Sequence, residues 1–366
     1  MNIGRKLLPI VYPPINAFPH HGVLFSMLFA QEDCLPYVYN NFIQIYSLKN
    51  LHENTARSGT VDFFYNPYGD WRYFHLKANP WIRPSLIPYH YLTLFIINVV
   101  EFVKHAIDSN MYVFIDIDEY DIAAYYESFQ KFHFPHEMFI YGYDDDSRIF
   151  FFGDNVAGKY VHAEASYEEV EHSVRRLLDI YIRCDETYMW HDYREKSIYL
   201  FEVRKNTERS GLDPVLNHEL FDINLAKISN DVKEYLLLDG YGEGYKNSRF
   251  YAYGIECYDV LSEFASYACK NNSTVDIRAV YSFVEHKKLM KMRLDFLSSF
   301  CGVRDVAAQY GVLVDKLNML INMVIKANIS RQPKIWTRII DMLVDCRAEE
   351  IQALSEYLNL IQPKES

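Results

Sequence analysis

Residues His133–Tyr160 read HFPHEMFIYGYDDDSRIFFFGDNVAGKY, and this stretch decides how the N-terminal part of the chain folds. Two apolar, aromatic-rich runs, Met138–Tyr143 and Ile149–Phe152, flank an acidic turn at Asp144–Ser147. Apolar runs on either side of a short polar turn are typical of a β-hairpin. The pattern therefore predicts an antiparallel ribbon over this stretch.

The two ends of the predicted ribbon carry an imidazole and a carboxylate. Folding at Asp145–Asp146 brings His136, which opens the first strand, to within about one residue of Asp154, which closes the second. A carboxylate at that distance can orient an imidazole for proton transfer, as in Ser-His-Asp sites. A bulge at Gly153 would shift the register and make Asn155 the partner instead. We therefore predict a general base, His136, held by Asp154, with Asn155 as the alternative partner.

Composition and charge describe an acidic globular protein of 366 residues, 50% of them hydrophobic and 23% charged. The net charge is −12, and phosphate neutralisation by Lys and Arg dominates nucleic-acid affinity, so no nucleic-acid partner is expected. The basic cluster Lys287–Lys291 falls in a predicted helix and indicates a solvated face, with docking of an acidic carrier protein as the alternative. The 31 Tyr and 24 Phe favour half-buried sheet faces and the walls of a wet cleft.

Cysteine spacing and hydropathy indicate the compartment. Six cysteines are scattered without a CxxC motif, which indicates reduced thiols in a cytosol. Pro9, Pro13 and Pro14 interrupt the N-terminal apolar run, so we do not interpret it as a signal peptide. The longest uncharged apolar run, Tyr91–Val100, is about half as long as a membrane span requires. We expect a cytoplasmic protein with no membrane partner.

Strand signals are confined to the first part of the chain. They lie at Met111–Ile117, in the hairpin and at Ser197–Arg204, whereas Asn50–Pro88 is rich in proline and aromatic residues and predicts a long irregular loop. The short apolar segment Gly22–Ala30 is interpreted as a helix. Helical spacing occurs at Tyr91–Ser109 and after Ser166, where Glu169 completes a capping box. The segment Cys34–Tyr46 fits helix or strand.

After about residue 206 the pattern becomes helical. Amphipathic helices are predicted at Asp222–Leu238, Ala252–Lys270, Asp276–Ser299, Arg304–Lys326 and Pro333–Leu360. Strands followed by a run of helices predict an α+β protein with a separate helical module. We therefore predict two domains, residues 1–206 and residues 207–366.

The helix start near residue 20 is where a papain-like site would carry its cysteine nucleophile, because helix polarity lowers a thiol pKa there. This chain has His20, His21 and Gly22 at that place, and Ser26 a turn further on. Cys34 follows the helix and is interpreted as a packed thiol. We predict a catalytic role for His21, and substrate-binding roles for His20, Asp118, Tyr120 and Asn155.

Metal and nucleotide chemistry find weak support in the sequence. His133-x-x-His136, with His20–His21, has feasible spacing for metal ligands, but no HExxH motif and no convergent cysteine set accompanies it. The glycines of Asp239–Gly244 lack the strand and the Lys-Ser/Thr of a phosphate loop. We expect no metal and no cofactor.

Several segments together resemble the peptidase C39-like proteins of natural-product gene clusters, and within them the relatives of butirosin biosynthesis protein H. The resemblance spans the N-terminus to about residue 300. The segments that carry it are LLPIVYPPI, LPYVYNNFIQIY, YVFIDIDEYDI, HEMFIYGYDDDSRIFFFGDNVAGKYVHAEASYEEVEHS, YGIECYDVLSEF and DIRAVYSFVEHKKLMKMRLDFL.

The resemblance implies a papain-like N-terminal domain with an antiparallel sheet, followed by an α-helical C-terminal region. It also implies transfer of an acyl group from an acyl or peptidyl carrier-protein thioester to a small-molecule amine or alcohol acceptor. His136 would be the base and Asp154 its orienter, while the cysteine position falls in His20–Val23, which contains no cysteine. This departure favours direct attack on the thioester without a covalent enzyme intermediate.

Two other functions remain open at this point. One is a catalytically inactive papain-like module that binds a carrier protein or a peptide-like product, with the aromatic 50–90 segment as its binding wall. The other is a hydrolase that releases a thioester or peptide product as the free acid. The sequence leaves the oligomeric state undetermined.

Overall fold

The chain divides into two units, each with its own sheet and its own helices. A computed structural model describes residues 4–49, 61–63, 79–89, 91, 98–183, 197–205, 220–238, 248 and 250–361. The first unit comprises Met1–Leu35 and Asp70–Asp213, and the second comprises Pro36–Gly69 and Pro214–Ser366. The predicted first domain, 1–206, thus includes a segment, residues 36–69, that groups with the helical unit.

The strands and helices are numbered in chain order. The strands are β1 Arg5–Leu7, β2 Ile45–Leu48, β3 Val61–Phe63, β4 Ile82–Pro88, β5 Tyr112–Asp118, β6 Pro135–Asp144, β7 Ile149–Val156, β8 Lys159–Ser166, β9 Ser197–Val203 and β10 Tyr251–Tyr253. The α-helices are α1 Pro19–Leu28, α2 Leu35–Asn40, α3 Val99–Asp108, α4 Tyr167–Arg183, α5 Leu225–Leu237, α6 Cys257–Asn271, α7 Ile277–Ser298, α8 Arg304–Ser330 and α9 Pro333–Ile361. This is a mixed α+β architecture, as predicted.

The sheet of the first unit has seven antiparallel strands. Six of them follow the order β4-β9-β5-β6-β7-β8, and the seventh, β1, pairs with β6. All seven residues of the central strand β5 are buried. Helices α3 and α4 pack on β5, and α1 packs on β7. The capping box at the start of α4 forms as predicted, since the Ser166 amide and hydroxyl donate to Glu169, whose amide donates back to the Ser166 hydroxyl.

Five strands, β1, β3, β4, β8 and β10, lie outside the sequence predictions. Ile82–Pro88, expected to be irregular because of its prolines, forms β4 at one edge of the sheet. An edge strand has one side without a partner, so Pro84 and Pro88 can lack the N–H that a central strand would need. Strand β8 extends the ribbon into a meander, and β10 forms in the region where only helices were expected.

The second unit combines a three-stranded sheet, β10-β2-β3, with helices α5–α9. The helices begin and end close to their predicted bounds, except that residues 251–256 form β10 and a 3₁₀ turn. The interpretation of Lys287 as part of a solvated face is wrong, because its side chain is completely buried. None of the described helices combines the length and the apolar character needed to cross a bilayer.

Candidate active site

The predicted hairpin forms and brings its two polar ends together. Strands β6 and β7 pair around a turn at 145–148, and a bulge at Tyr141 separates the pairs Ile140–Phe152 and Gly142–Phe151. The bulge therefore lies at Tyr141 and not at Gly153. Gly153 pairs with Phe139, and the next residue, Asp154, reaches His136 diagonally across the ribbon.

Asp154 is the acceptor at the centre of this arrangement. The His136 Nε2 atom lies 3.1 Å from each oxygen of its carboxylate. The Tyr125 hydroxyl donates to Oδ2 at 2.5 Å, and the Asn155 amide donates to Oδ1 at 2.6 Å. The carboxylate is 2% exposed, and three donors compensate for its burial. The partner of His136 is thus Asp154 and not Asn155.

Electrostatics keep the His136 ring protonated near neutral pH. Burial by itself lowers the pKa of an imidazole, but the carboxylates of Asp154, Glu137 and Glu119 outweigh it and raise the pKa of His136 to about 9. The neutral ring is then the minor form at pH 7. Nε2 is the ring nitrogen that bonds to Asp154, so Nδ1 takes no part in this pair.

A second polar pair, which the sequence did not indicate, lies in the same neighbourhood. The Ser128 hydroxyl donates to Glu119 Oε2 at 2.5 Å, and both side chains are buried. Burial raises the pKa of Glu119, although the Ser128 hydrogen bond opposes the shift. Glu119 belongs to a 3₁₀ turn after β5, and Ser128 to the turns that lead towards β6.

Glu119, Tyr125 and Ser128 line one side of a cleft of about 250 Å³. The β7–β8 turn, from Asn155 to Gly158, lines another part, and two phenylalanines complete the wall. These two, Phe132 and Phe134, are 50% and 38% exposed, and the Phe134 ring lies 6.1 Å from that of His136. The cleft is therefore bounded by the groups that surround the His136–Asp154 pair.

Asp118, predicted to bind substrate, is completely buried, and its carboxylate binds neighbouring protein groups. Its carboxylate contacts His133 Nδ1 at 2.7 Å and accepts hydrogen bonds from the backbone amides of Phe134 and Tyr120. The Tyr120 ring, also predicted to bind substrate, packs 4.3 Å from the His133 ring. Asp118 and Tyr120 thus hold the segment that leads into β6, two residues before His136.

The His133-x-x-His136 spacing is not used as one ligand pair. The two rings bond to different carboxylates, His133 to Asp118 and His136 to Asp154. Each imidazole therefore has one nitrogen already engaged by a carboxylate.

The start of helix α1 packs as a cluster of rings. His21 is buried, and its ring lies 4.4 Å from that of His20 and 5.4 Å from that of Phe18. The Asn155 side chain donates to the Asn16 carbonyl at 2.9 Å, which ties the segment before α1 to the end of β7. The catalytic role of His21 and the binding role of His20 stay predictions.

Two glycines, which lack side chains, leave room for the Tyr160 ring between α1 and β7. A Cβ atom on Gly22 would lie 2.4 Å from this ring, and one on Gly153 would lie 2.2 Å from its hydroxyl oxygen. Tyr160 is 3% exposed, so the ring has little room to move away. The contact sets the spacing between α1 and the strand that carries Asp154.

Replacing Gly153 by Ala is therefore expected to lower the free energy of unfolding by about 1–3 kcal/mol, because the added methyl group overpacks this contact. Urea denaturation followed by circular dichroism measures the loss. Gly4→Ala is the matched control, since a Cβ there meets nothing within 4 Å. Tyr160→Phe should recover part of the loss in the Gly153→Ala background, and an unchanged midpoint for Gly153→Ala alone would contradict the expectation.

Cys34 is a packed thiol, as predicted. It is fully buried at the end of a 3₁₀ turn, and burial raises its pKa far above the ordinary value. A thiol in that state is a poor nucleophile.

The fold and the site define an α+β protein with a buried His–Asp pair beside a small, partly aromatic cleft. Neither a protein-family model nor a curated protein matches the chain.

Proposed function

We propose that the chain is an acyltransferase that moves an acyl group from a carrier-protein thioester to an amine or alcohol acceptor. The observation that carries this proposal is the His136–Asp154 pair beside a cleft of about 250 Å³. A buried carboxylate that orients an imidazole is the arrangement that acyl-transfer sites use to move protons. The packing of α1 on β7 supports a papain-like, peptidase C39-like first unit.

In this reaction His136 removes the proton of the acceptor through Nδ1. The neutral ring takes the proton from the attacking amine or hydroxyl group, and Asp154 stabilises the imidazolium that forms. The hydroxyl of Tyr125, whose pKa is raised well above its ordinary value by burial and by Asp154, remains a neutral donor that fixes the carboxylate. A thioester is already activated, so a positioned base contributes usefully to this step.

The state of the cysteines bears on the compartment in which the reaction takes place. The five described cysteines, Cys34, Cys257, Cys269, Cys301 and Cys346, are unpaired thiols. We place the reaction in the cytosol, where carrier proteins and their thioesters are found in a reducing environment.

The test is to incubate the protein with acylated carrier proteins and an excess of amine and alcohol acceptors. Mass spectrometry then distinguishes new amide or ester from free acid. Acylated acceptor formed in proportion to enzyme supports the proposal, whereas free acid alone identifies a hydrolase. No turnover of any thioester, together with carrier binding, would reject the transferase.

The acid–base character of His136 predicts the pH dependence of the rate. Because the base is the neutral ring, the initial rate should rise with pH and level off above about 9. In Asp154→Asn the largest charge that favours the imidazolium is gone, so this rise should move to lower pH by about one unit or more. Initial rates between pH 6 and 10 measure the shift.

Stability against pH provides an independent readout of the same pair. A pKa raised in the folded state contributes stability that is present below the ordinary value of 6.5 and is lost as the pH rises through about 9. Wild-type stability should therefore fall over this range more steeply than that of Asp154→Asn. Identical slopes would show that the two side chains are not coupled.

A second candidate is a binding module for a peptide-like product. The exposed rings of Phe132 and Phe134 at the cleft favour it, since exposed aromatic side chains at a concave surface suit apolar ligands. The aromatic 50–90 segment, predicted to be the binding wall, lies mainly outside the described residues. Tight binding without turnover in the assay above would select this function.

A further inference from the structure

We propose that the Ser128 hydroxyl is the nucleophile that first takes the acyl group, with Glu119 as its general base. This inference rests on the acyl transfer proposed above, and it replaces direct attack on the thioester by two half-reactions through an ester on Ser128. The juxtaposition of Ser128 with Glu119 on the wall of the cleft carries it.

The geometry is that of a nucleophile and its base. The Ser128 hydroxyl donates to a Glu119 oxygen at 2.5 Å, and both residues line the cleft. Ser128 is 4% exposed and Glu119 is 8% exposed, so little water competes for the hydrogen bond between them. Nucleophile and base within hydrogen-bond reach are the signature of covalent catalysis.

The environment of Glu119 suits a base. Burial raises the pKa of its carboxyl group, which makes the carboxylate a stronger proton acceptor than an exposed one. Glu119 also belongs to the set of charges that act on His136. The nucleophile pair and the His136–Asp154 pair therefore share one electrostatic site.

Other buried serines of the first unit are engaged differently. The Ser26 hydroxyl, on α1, donates to the Val23 carbonyl within its own helix. The Ser173 hydroxyl accepts from the Asp118 amide and donates to the Asp118 carbonyl. These contacts are to backbone groups, whereas the Ser128 hydroxyl donates to a carboxylate at the cleft.

In the first half-reaction the Ser128 oxygen bonds to the thioester carbonyl carbon, and the carbon–sulfur bond breaks. The hydroxyl proton passes to the Glu119 carboxylate and from there to the thiolate of the carrier. The products are an acyl ester on Ser128 and a free carrier thiol, with no oxidant or reductant required.

In the second half-reaction the amine or alcohol acceptor attacks the ester carbonyl. Neutral His136 takes the acceptor proton, the bond between the carbonyl carbon and the Ser128 oxygen breaks, and that proton returns to the serine oxygen. The hydroxyl of Ser128 is then restored, and Glu119 has been a carboxylate again since the first half-reaction. The two bases thus serve successive half-reactions.

A fluorophosphonate probe tests the nucleophile without knowledge of the acyl group. Peptide mass spectrometry of the treated full-length protein should find the adduct on Ser128, and Ser128→Ala should carry none. Glu119→Gln should label about 10²-fold more slowly, since a general base typically contributes that much. His136→Gln should still label, because that residue acts in the second half-reaction.

Ser147→Ala is the matched control, since Ser147 lies exposed in the β6–β7 turn, and it should label like the wild type. Ser128→Cys provides a variant that keeps a nucleophile, and with acylated carrier protein it should accumulate a hydroxylamine-sensitive adduct. Wild-type protein unlabelled at Ser128, or undiminished acyl transfer by folded Ser128→Ala, would overturn the inference. Labelling of Ser128 without acylation of any acceptor would support the nucleophile and reject the transferase.

Discussion

His136→Gln is expected to lower the rate of acyl transfer by about 10²–10⁴-fold, the range that a positioned general base contributes. Glutamine keeps an N–H that can donate to Asp154, so the carboxylate does not become an unpaired buried charge. The side chain cannot accept the acceptor proton, which is why the loss should appear in kcat. Steady-state rates with acylated carrier protein, taken at pH 9, measure the effect.

His105→Gln is the matched control, because His105 is exposed on α3 and lies in the same unit. It should retain the wild-type rate. Thermal unfolding should give similar midpoints for both variants, which separates lost chemistry from lost structure. A folded His136→Gln protein with wild-type turnover would remove His136 from the mechanism.

The hairpin could be predicted because its signals are local. Two apolar runs and one acidic turn lie within 20 consecutive residues. The pattern of a β-strand can be recognised within the segment itself, without knowledge of its pairing partner. The same holds for the capping box at Ser166 and for the long helices of the second unit, whose apolar periods extend over many turns. Patterns of this kind are set by the helix and strand repeats themselves.

The contact between His136 and Asp154 was predicted, but its register was not. A bulge at Tyr141, directly before Gly142, shifts the pairing by one residue, whereas the sequence suggested a bulge at Gly153. Side chains long enough to reach diagonally across two strands preserved the contact. The two residues of the pair were therefore predicted correctly although the strand register was not.

Glu119, Tyr125 and Ser128 could not be found from the sequence. They lie in a stretch of turns between β5 and β6, where no period indicates which side chains converge. Their grouping depends on how that stretch folds back over the end of the sheet, which is a tertiary property. A carboxylate and a hydroxyl nine residues apart have no recognisable motif.

The helical period of the sequence indicated that Lys287 is buried, but its charge suggested an exposed position. Phe283, Lys287, Met290 and Leu294 recur at helical spacing, and all four are buried in α7. The position therefore belongs to the apolar face of the helix, although the residue type is typical of the polar face. Hydrophobic period was the better guide than charge.

Lys287 lies in a closed network within the second unit. Its Nζ atom is 3.0 Å from a Glu350 oxygen and donates to the Tyr235 hydroxyl, and both charged side chains are completely buried. The Tyr310 hydroxyl donates to Glu350, and the Phe283 ring centroid lies 4.4 Å from Nζ. Burial lowers the pKa of Lys287, and the Glu350 carboxylate opposes that shift.

Lys287→Met is expected to lower the free energy of unfolding by about 3–5 kcal/mol, because it leaves the Glu350 charge buried without its cation. Lys287→Met combined with Glu350→Gln should recover most of this loss, since the glutamine is neutral and its oxygen still accepts from Tyr310. Urea denaturation followed by helical circular dichroism measures both variants.

The neighbouring pair Lys316–Glu349 supplies the control. Its N–O distance is 2.5 Å and it joins α8 to α9, but its side chains are 37% and 40% exposed. Lys316→Met should therefore cost far less stability than Lys287→Met, as for other solvated ion pairs. Equal losses for the two lysine variants would mean that burial does not set the cost. If the double variant failed to recover stability, the loss would come from the packing of the lysine stem among the aromatic rings and not from the unpaired Glu350 carboxylate.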